Sequence, residues 1–293
     1  MESAKRRKKN SPSAIVFYCI IVVPAVIQVL IFFFYANLNS ILLAFKSYDP
    51  EKGFYFSGFR TYKELLSELF ASGTGGMWRR SFLLYMIGYF TTIVNLAISF
   101  FLYKKIPCSG AFKILLFLPS VLPGMAMVLF YKNFTELTIS PTIISSPETA
   151  FKMLVLYGLW IGFGGSMVMY LGMFARIEQE LIDAMEIDGG TLWTEFIHLA
   201  WPKVYPIVTI GIYTGLGTIF SGSPNTYMFF GNNAPKETWT IGYYMYAKVV
   251  GMSGASAYSN YAVTSAANLM FGLIVLFPSM FLKRFFESRD PLN

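Results

Sequence analysis

The sequence has 293 residues, 55% of them hydrophobic and only 13% charged, with a formal net charge of +7 and a mean hydropathy of +0.52. Soluble domains carry about 25% charged residues, so the composition excludes an ordinary soluble enzyme or binding module. The positive balance belongs to membrane topology rather than to a nucleic-acid partner.

The chain opens on a basic cytoplasmic tail, residues 1–13, containing Lys5, Arg6, Arg7, Lys8 and Lys9. The apolar run that follows exceeds the core of a signal peptide and has no small-x-small cleavage site, so a retained first span is expected. The apolar blocks are 14–45, 81–103, 111–131, 151–173, 204–222 and 261–282. Each is long enough to reach across a bilayer, for which about 20 residues are needed. None shows the alternation of a barrel strand, so all six are read as helices.

Lysine and arginine set the expected orientation. With both termini inside, the cytoplasmic side holds the five tail residues, Lys104, Lys105, Lys113, Arg176, Lys203, Lys283, Arg284 and Arg289. Cys19 and Cys108 lie far apart and suggest neither a metal pair nor a disulfide.

Between the first and second blocks, Tyr62, Leu65, Leu66, Leu69 and Phe70 form one apolar stripe, which predicts a short surface helix over 61–71 on the membrane face. In the third block, "LPSVLPGM" places Pro119 and Pro123 where they kink a helix. The fourth carries Gly158, Gly162, Gly164, Gly165 and Gly172, which permit close packing or line a cavity. The loop 223–260 is aromatic-rich and is expected to form an interfacial belt, a dip into the bilayer or a partner contact.

No block contains Asp, Glu, Arg or His, whereas gradient-driven carriers bury ionisable groups in their spans. Lys113 and Lys152 sit at span ends, where they can snorkel, and the buried polar residues are expected to be neutral, such as Gln28, Asn95 and Asn268. No phosphate-binding loop is present, and the single histidine, His198, has no companions for a metal site or a triad. No catalytic constellation or bound cofactor is expected, so any energy must come from another subunit.

The segment "DAMEIDGGTLWTEFIHLAWP", from Asp183 to Pro202, interrupts this apolar pattern. It predicts a helix over 178–188 with Leu181, Ile182, Ala184 and Met185 on one face, facing a polar side of Glu178, Glu180, Asp183, Glu186 and Asp188. Gly189 and Gly190 end that helix. Thr191 caps a second, with Leu192, Trp193, Phe196 and Ile197, and Pro202 closes the unit. A helical hairpin of this kind on a small cytoplasmic side reads as a docking knob. A hairpin lying on lipid headgroups fits the same pattern.

The stretch resembles the signature loop of permeases from binding-protein-dependent ATP-binding-cassette importers: Glu-Ala-Ala, three residues, Gly, nine residues, Ile, one residue, Leu-Pro. Here Asp183, Ala184, Met185, Gly189, Leu199 and Pro202 keep that spacing, with Trp201 where the signature has Leu. "FLPSVLPGMAM", "WTIGYYMYAKVVG" and "YAVTSAANLMFGLIVLFPSMFLKRFFE" resemble the sugar-type branch, and in particular permeases for oligosaccharides in Gram-positive bacteria.

The resemblance implies an all-α membrane protein with the six-transmembrane-helix type I importer permease fold, both termini inside, as one domain over 14–293. It implies a second homologous permease, two cytoplasmic ATPase subunits that hold ATP and magnesium, and an external solute-binding lipoprotein. Glu180, Asp183, Ala184, Met185, Glu186, Asp188, Gly189, Leu199 and Pro202 would couple to the ATPase. Trp160, Gly162, Gly165, Ser166, Tyr213, Thr214, Thr218 and Ser221 would line the path of a sugar or oligosaccharide. Rings stack on sugar faces and hydroxyls pair with hydroxyls, so neutral spans suffice. A secondary carrier or channel for a neutral solute would explain the neutral spans but not the knob, and a non-sugar importer remains open.

Overall fold

The computed structural model describes residues 12–71, 75–104, 106–222, 224–250 and 255–291. The tail cluster Lys5–Lys9 and Lys105 lie outside them. Among the described residues, four helical runs are long and apolar enough to cross a membrane: Val16–Leu43, Gly75–Tyr103, Pro147–Phe174 and Ser259–Glu287. Two bent pairs, Ser109–Val121 with Gly124–Thr138 and Leu192–Gly215 with Thr218–Phe230, raise the number to six if each pair is one span.

The first run comprises α1 (Pro12–Gln28), a π-helical stretch Val29–Tyr35 and α2 (Ala36–Leu43). None of its apolar window is buried against the rest of the chain. A two-stranded antiparallel hairpin follows, β1 (Lys46–Asp49) and β2 (Gly53–Phe56), which the sequence reading does not anticipate. Its turn is local chemistry: Asp49 Oδ1 accepts from the amides of Glu51 and Lys52, and Gly53 takes φ +72°.

Helix α3 (Arg60–Leu69) is the predicted surface helix, but its orientation differs. Leu65 and Leu69 are fully buried beside Met77, Ile241 and Val263, while Leu66 and Phe70 stay exposed. The helix thus turns its inner stripe onto protein rather than toward lipid. Glu68 fixes it further by pairing with Lys248 and accepting from the Tyr244 hydroxyl at 3.0 Å. Burial and the Glu68 charge together raise Tyr244 above the ordinary phenol range.

Helix α4 (Gly75–Tyr103) runs the length of the bundle. Near its start, Arg80 donates to the carbonyls of Trp239 and Lys236 at 2.8 and 3.0 Å. Near its end, Leu96 and Phe100 join Tyr170, Phe174, Ile182 and Val204 in a second cluster.

The third apolar block is two helices, α5 (Ser109–Val121) and α6 (Gly124–Thr138), meeting at 107°. At about 1.5 Å per residue, neither alone spans the roughly 30 Å hydrocarbon core. The fourth block is also interrupted, between α7 (Pro147–Gly162) and α8 (Met167–Phe174).

After the interrupting segment come α11 (Trp201–Gly215), α12 (Thr218–Ser221), α13 (Pro224–Phe230), α14 (Ile241–Val250) and α15 (Ala255–Glu287). The aromatic loop is ordered by its own polar tips. Tyr243 donates to the Gly231 carbonyl at 2.7 Å and Trp239 to the Ala234 carbonyl at 2.8 Å. Phe229 of α13 packs into a third cluster with Met127, Val128 and Tyr157. Residues 251–254 of this loop are outside the described set.

Candidate functional site: an exposed helical knob and two clefts along α11

The interrupting segment folds as a helical hairpin at the far end of α4. Helix α9 (Gln179–Ile187) begins after Glu178, and Gln179 donates to Asp183 at 2.8 Å. Its end is a complete double-bonded cap. The Gly190 amide reaches the Met185 carbonyl at 2.8 Å, the Gly189 amide reaches Glu186 at 3.1 Å, and Gly189 takes φ +75°.

The two glycines are needed for different reasons. Gly189 has open space around it but a left-handed backbone. A Cβ at Gly190 would lie 2.5 Å from Met185 Cγ and 2.8 Å from its carbonyl oxygen.

Thr191 then caps α10 (Leu192–Glu195) as expected. Its hydroxyl accepts from the Thr194 amide at 3.3 Å, and Thr194 Oγ1 returns the bond to the Thr191 amide. His198 is exposed and sits against the Thr194 carbonyl.

Pro202 does not close the unit. A π-helical turn, Phe196–Ala200, leads without interruption into α11, giving one helical run from Leu192 to Gly215. The Trp201 amide bonds the Phe196 carbonyl five residues back. Prolines are tolerated near a helix start, and the wider π turn just before Pro202 absorbs the lost bond.

Among the residues expected to couple, Glu180, Asp183, Ala184, Glu186, Asp188 and Gly189 are exposed on this hairpin. Met185 is half-buried under Gly190, and Leu199 and Pro202 are half-buried at its root. Of the hairpin's apolar residues, Ile182 is buried and Phe196 packs against the same cluster. Ile187 and Trp193 are 86% and 68% exposed, and Leu181, Leu192 and Ile197 are exposed as well. Exposed apolar side chains alternating with acids make a surface suited to another protein or to lipid headgroups.

The residues expected to line a path divide between two clefts flanking α11. Tyr213, Thr214 and Ser221 open onto a cleft of about 580 Å³ between α11–α12 and α15, with Asn268, Ser279 and Lys283. Ser166 and Thr218 open onto another of about 470 Å³, walled by α4 on one side and α11 on the other. The hydroxyls of Thr214, Thr218 and Ser221 donate to the carbonyls of Ile210, Gly215 and Gly217, which leaves their oxygens free to accept.

Trp160 lines neither cleft. It packs beside Tyr131 and Tyr157 in the third cluster. Gly162 approaches Thr91 of α4, and Gly165 faces open space.

Tyr85 and Tyr89, which the sequence reading omits, stand in the smaller cleft. Tyr85 donates to Tyr89 at 3.0 Å, and Tyr89 to the Ile212 carbonyl at 2.6 Å, a chain running from α4 to α11. Their i, i+4 spacing on one face of α4 is the signal that marks them. Among the described residues, no group of three His, Cys, Asp or Glu could hold a metal ion.

No protein-family model matches the chain. It is 26% identical over 140 residues, covering 44% of this chain and 48% of the other, to a probable starch degradation products transport system permease protein of Thermoanaerobacterium thermosulfurigenes. It is 22% identical over 176 residues, 52% of this chain and 57% of the other, to an inner membrane ABC transporter permease protein of Escherichia coli strain K12. A maltose/maltodextrin transport system permease protein of Shigella flexneri is 26% identical over 113 residues, 34% of this chain and 22% of the other. The matches thus span about half, or less, of these curated relatives.

Among solved structures, a chain of a bacterial alginate ABC transporter, in complex with an alginate pentasaccharide-bound periplasmic protein, superposes with a TM-score of 0.71 at 16% identity, covering 95% of this chain and 96% of that one. A bacterial ABC transporter that imports alginate gives a TM-score of 0.66 at 17% identity, covering 94% and 96%. The chain is therefore a multi-pass protein of the cell membrane, related in sequence to the permease proteins of sugar-transporting ABC systems and sharing the fold of the alginate transporter chains.

Proposed function

We propose that this chain is a non-catalytic permease subunit of an ATP-binding-cassette importer, carrying a sugar or oligosaccharide inward. The permease domain is 14–293, with six traverses and both termini in the cytoplasm. A second homologous permease completes the pore, two ATPase subunits bind and hydrolyse ATP with magnesium, and an external binding protein delivers the solute.

The observation that carries this reading is the hairpin from Glu178 to Pro202. Its acids and most of its apolar residues are exposed, a glycine cap ends α9, and it runs as one helix into α11. A load applied to its exposed acids and apolar residues is thus transmitted along the backbone to a cleft wall.

The ion pair between Lys104, at the end of α4, and Glu195 supports placing that end of α4 and the hairpin on the same side of the membrane. The solute path runs along the clefts beside α11. Ser166, Tyr213, Thr214, Thr218 and Ser221 supply hydroxyls, and Gly162 and Gly165 shape the break beside them. Trp160 supports the path through its aromatic cluster.

The test is the purified complex. Gly189→Trp forces a bulky residue into a left-handed position beside an exposed docking face. Solute uptake is expected to be lost while ATP hydrolysis persists. Normal uptake by this variant, or robust uptake by the chain without any ATPase, overturns the assignment.

A further inference from the structure

The part-buried ion pair between Lys104 and Glu195 ties the end of α4 to α10. Lys104 follows the last residue of α4, and its Nζ lies 2.8 Å from Glu195 Oε2 on α10. The side chains are 22% and 6% exposed. The other carboxylate oxygen, Oε1, is buried with no partner among the described residues, so Lys104 is its counter-charge there.

On its inner side the pair borders apolar contacts, Phe196 on Phe100 at 5.1 Å and Phe100 on Phe174 at 5.7 Å, while Lys104 also lines a polar cleft of about 520 Å³ with Lys113, Gln179 and Glu186. Apolar surfaces slide with little directional penalty. A desolvated ion pair resists separation, because parting it strands a charge in a low-dielectric setting.

The smaller cleft gives this pair its meaning. One wall is α11, which is continuous with α10. The other is α4, contributing Tyr85, Gly88, Tyr89 and Thr92. The hairpin therefore reaches both walls, one through backbone and one through Lys104–Glu195.

We propose that Lys104 and Glu195 form a strut that carries movement of the hairpin into α4, so that both walls of the cleft respond together. Neither residue touches solute; both are positioning residues. The inference rests on the importer reading above.

The experiment uses the assembled complex in lipid nanodiscs, with Cys19 and Cys108 replaced by serine and spin labels at Thr92→Cys and Ile210→Cys on opposite walls. The distance between labels is measured with and without ATP, beside uptake, ATP hydrolysis and the thermal midpoint. Glu195→Gln keeps the shape and removes the charge. It is expected to abolish most of the nucleotide-dependent distance change and to lower uptake about tenfold, with basal hydrolysis held within about twofold.

The reversed pair, Lys104→Glu with Glu195→Lys, is expected to restore both. A purely structural tie would lower the midpoint and leave the distance change intact, which overturns the strut. If Glu195→Gln does not assemble, the reversed pair decides: assembly with the distance change supports the strut, and any other result overturns it. A wild-type complex whose cleft ignores ATP removes the importer reading and the strut together. A responding wild type with an equally responding Glu195→Gln removes the strut alone.

Discussion

The third and fourth apolar blocks both break in mid-course, at Leu122–Pro123 and at 163–166, and the two breaks are built differently. The third is broken by proline. Pro119 and Pro123 lack the amide that would continue the ladder, Leu122 and Pro123 take extended ψ values, and Pro123 heads α6.

The fourth contains no proline between α7 and α8. Phe163 is extended, Gly164 takes φ +103°, and the freed backbone groups are met from another helix. Asn95 of α4, almost fully buried, accepts from the Gly164 amide at 3.3 Å and donates to Ser166 Oγ at 2.8 Å and the Gly162 carbonyl at 3.5 Å. A proline break starts from its own residues and needs no polar partner from another helix. A glycine break at membrane depth needs a polar partner far along the chain, since lipid supplies none.

The fourth block's break is most sensitive at Gly164. A Cβ there would sit 2.0 Å from the Leu116 carbonyl oxygen of α5, in a backbone conformation that L-residues resist. Gly164→Ala should cost more than about 3 kcal/mol, because the clash is with backbone that cannot rotate away. The expected outcome is loss of the monodisperse peak in fluorescence-detected gel filtration. A wild-type thermal midpoint would show that 163–166 does not need its present path.

Asn95→Leu tests the polar half of the same break. It removes all three bonds while keeping the branched shape, leaving the Gly164 amide unpaired. Buried hydrogen bonds are worth about 1–3 kcal/mol when one partner is left behind, and interhelical bonds in membranes average nearer 0.6 kcal/mol. A loss of about 1–2 kcal/mol is expected, read as a lower midpoint with assembly retained. Gly164 should show the same loss of protection in amide exchange, whereas Leu122 should not.

The same contrast explains what the sequence made legible. The glycine cap after α9, the Thr191 cap and the kink at Pro123 depend on neighbours within a few residues, and each was readable from spacing. The identity of Asn95's partners, the inward turn of Leu65 and Leu69, and the Lys104–Glu195 pair all depend on elements brought together by the fold. Pro202 failed as a stop signal because the π turn before it, invisible to a helical period, lets the chain pass through. Ser166, Tyr213, Thr214, Thr218 and Ser221 reached clefts because they flank the hairpin in sequence. Tyr85 and Tyr89 escaped notice because they reach the same cleft from α4.

Pro123→Ala gives the smallest effect and the sharpest view of the third break. Alanine restores an amide that could bond the Pro119 carbonyl, so a bend made only by proline would straighten. Straightening would pull Met127 and Val128 from Phe229 and Tyr157, and Gly124 from Met228, whose sulfur lies 3.4 Å from the glycine's Cβ position. Each buried side chain makes tens of contacts worth about 0.1–0.2 kcal/mol apiece, together more than the roughly 1 kcal/mol of one regained hydrogen bond. The 107° bend should therefore persist. Stability should fall only by about 0.4–1 kcal/mol, through the greater freedom of the unfolded chain. Spin labels at the exposed positions Ile114 and Phe134 report the bend directly. An unchanged distance means that packing holds the bend proline introduced, and a longer one means that proline holds it alone.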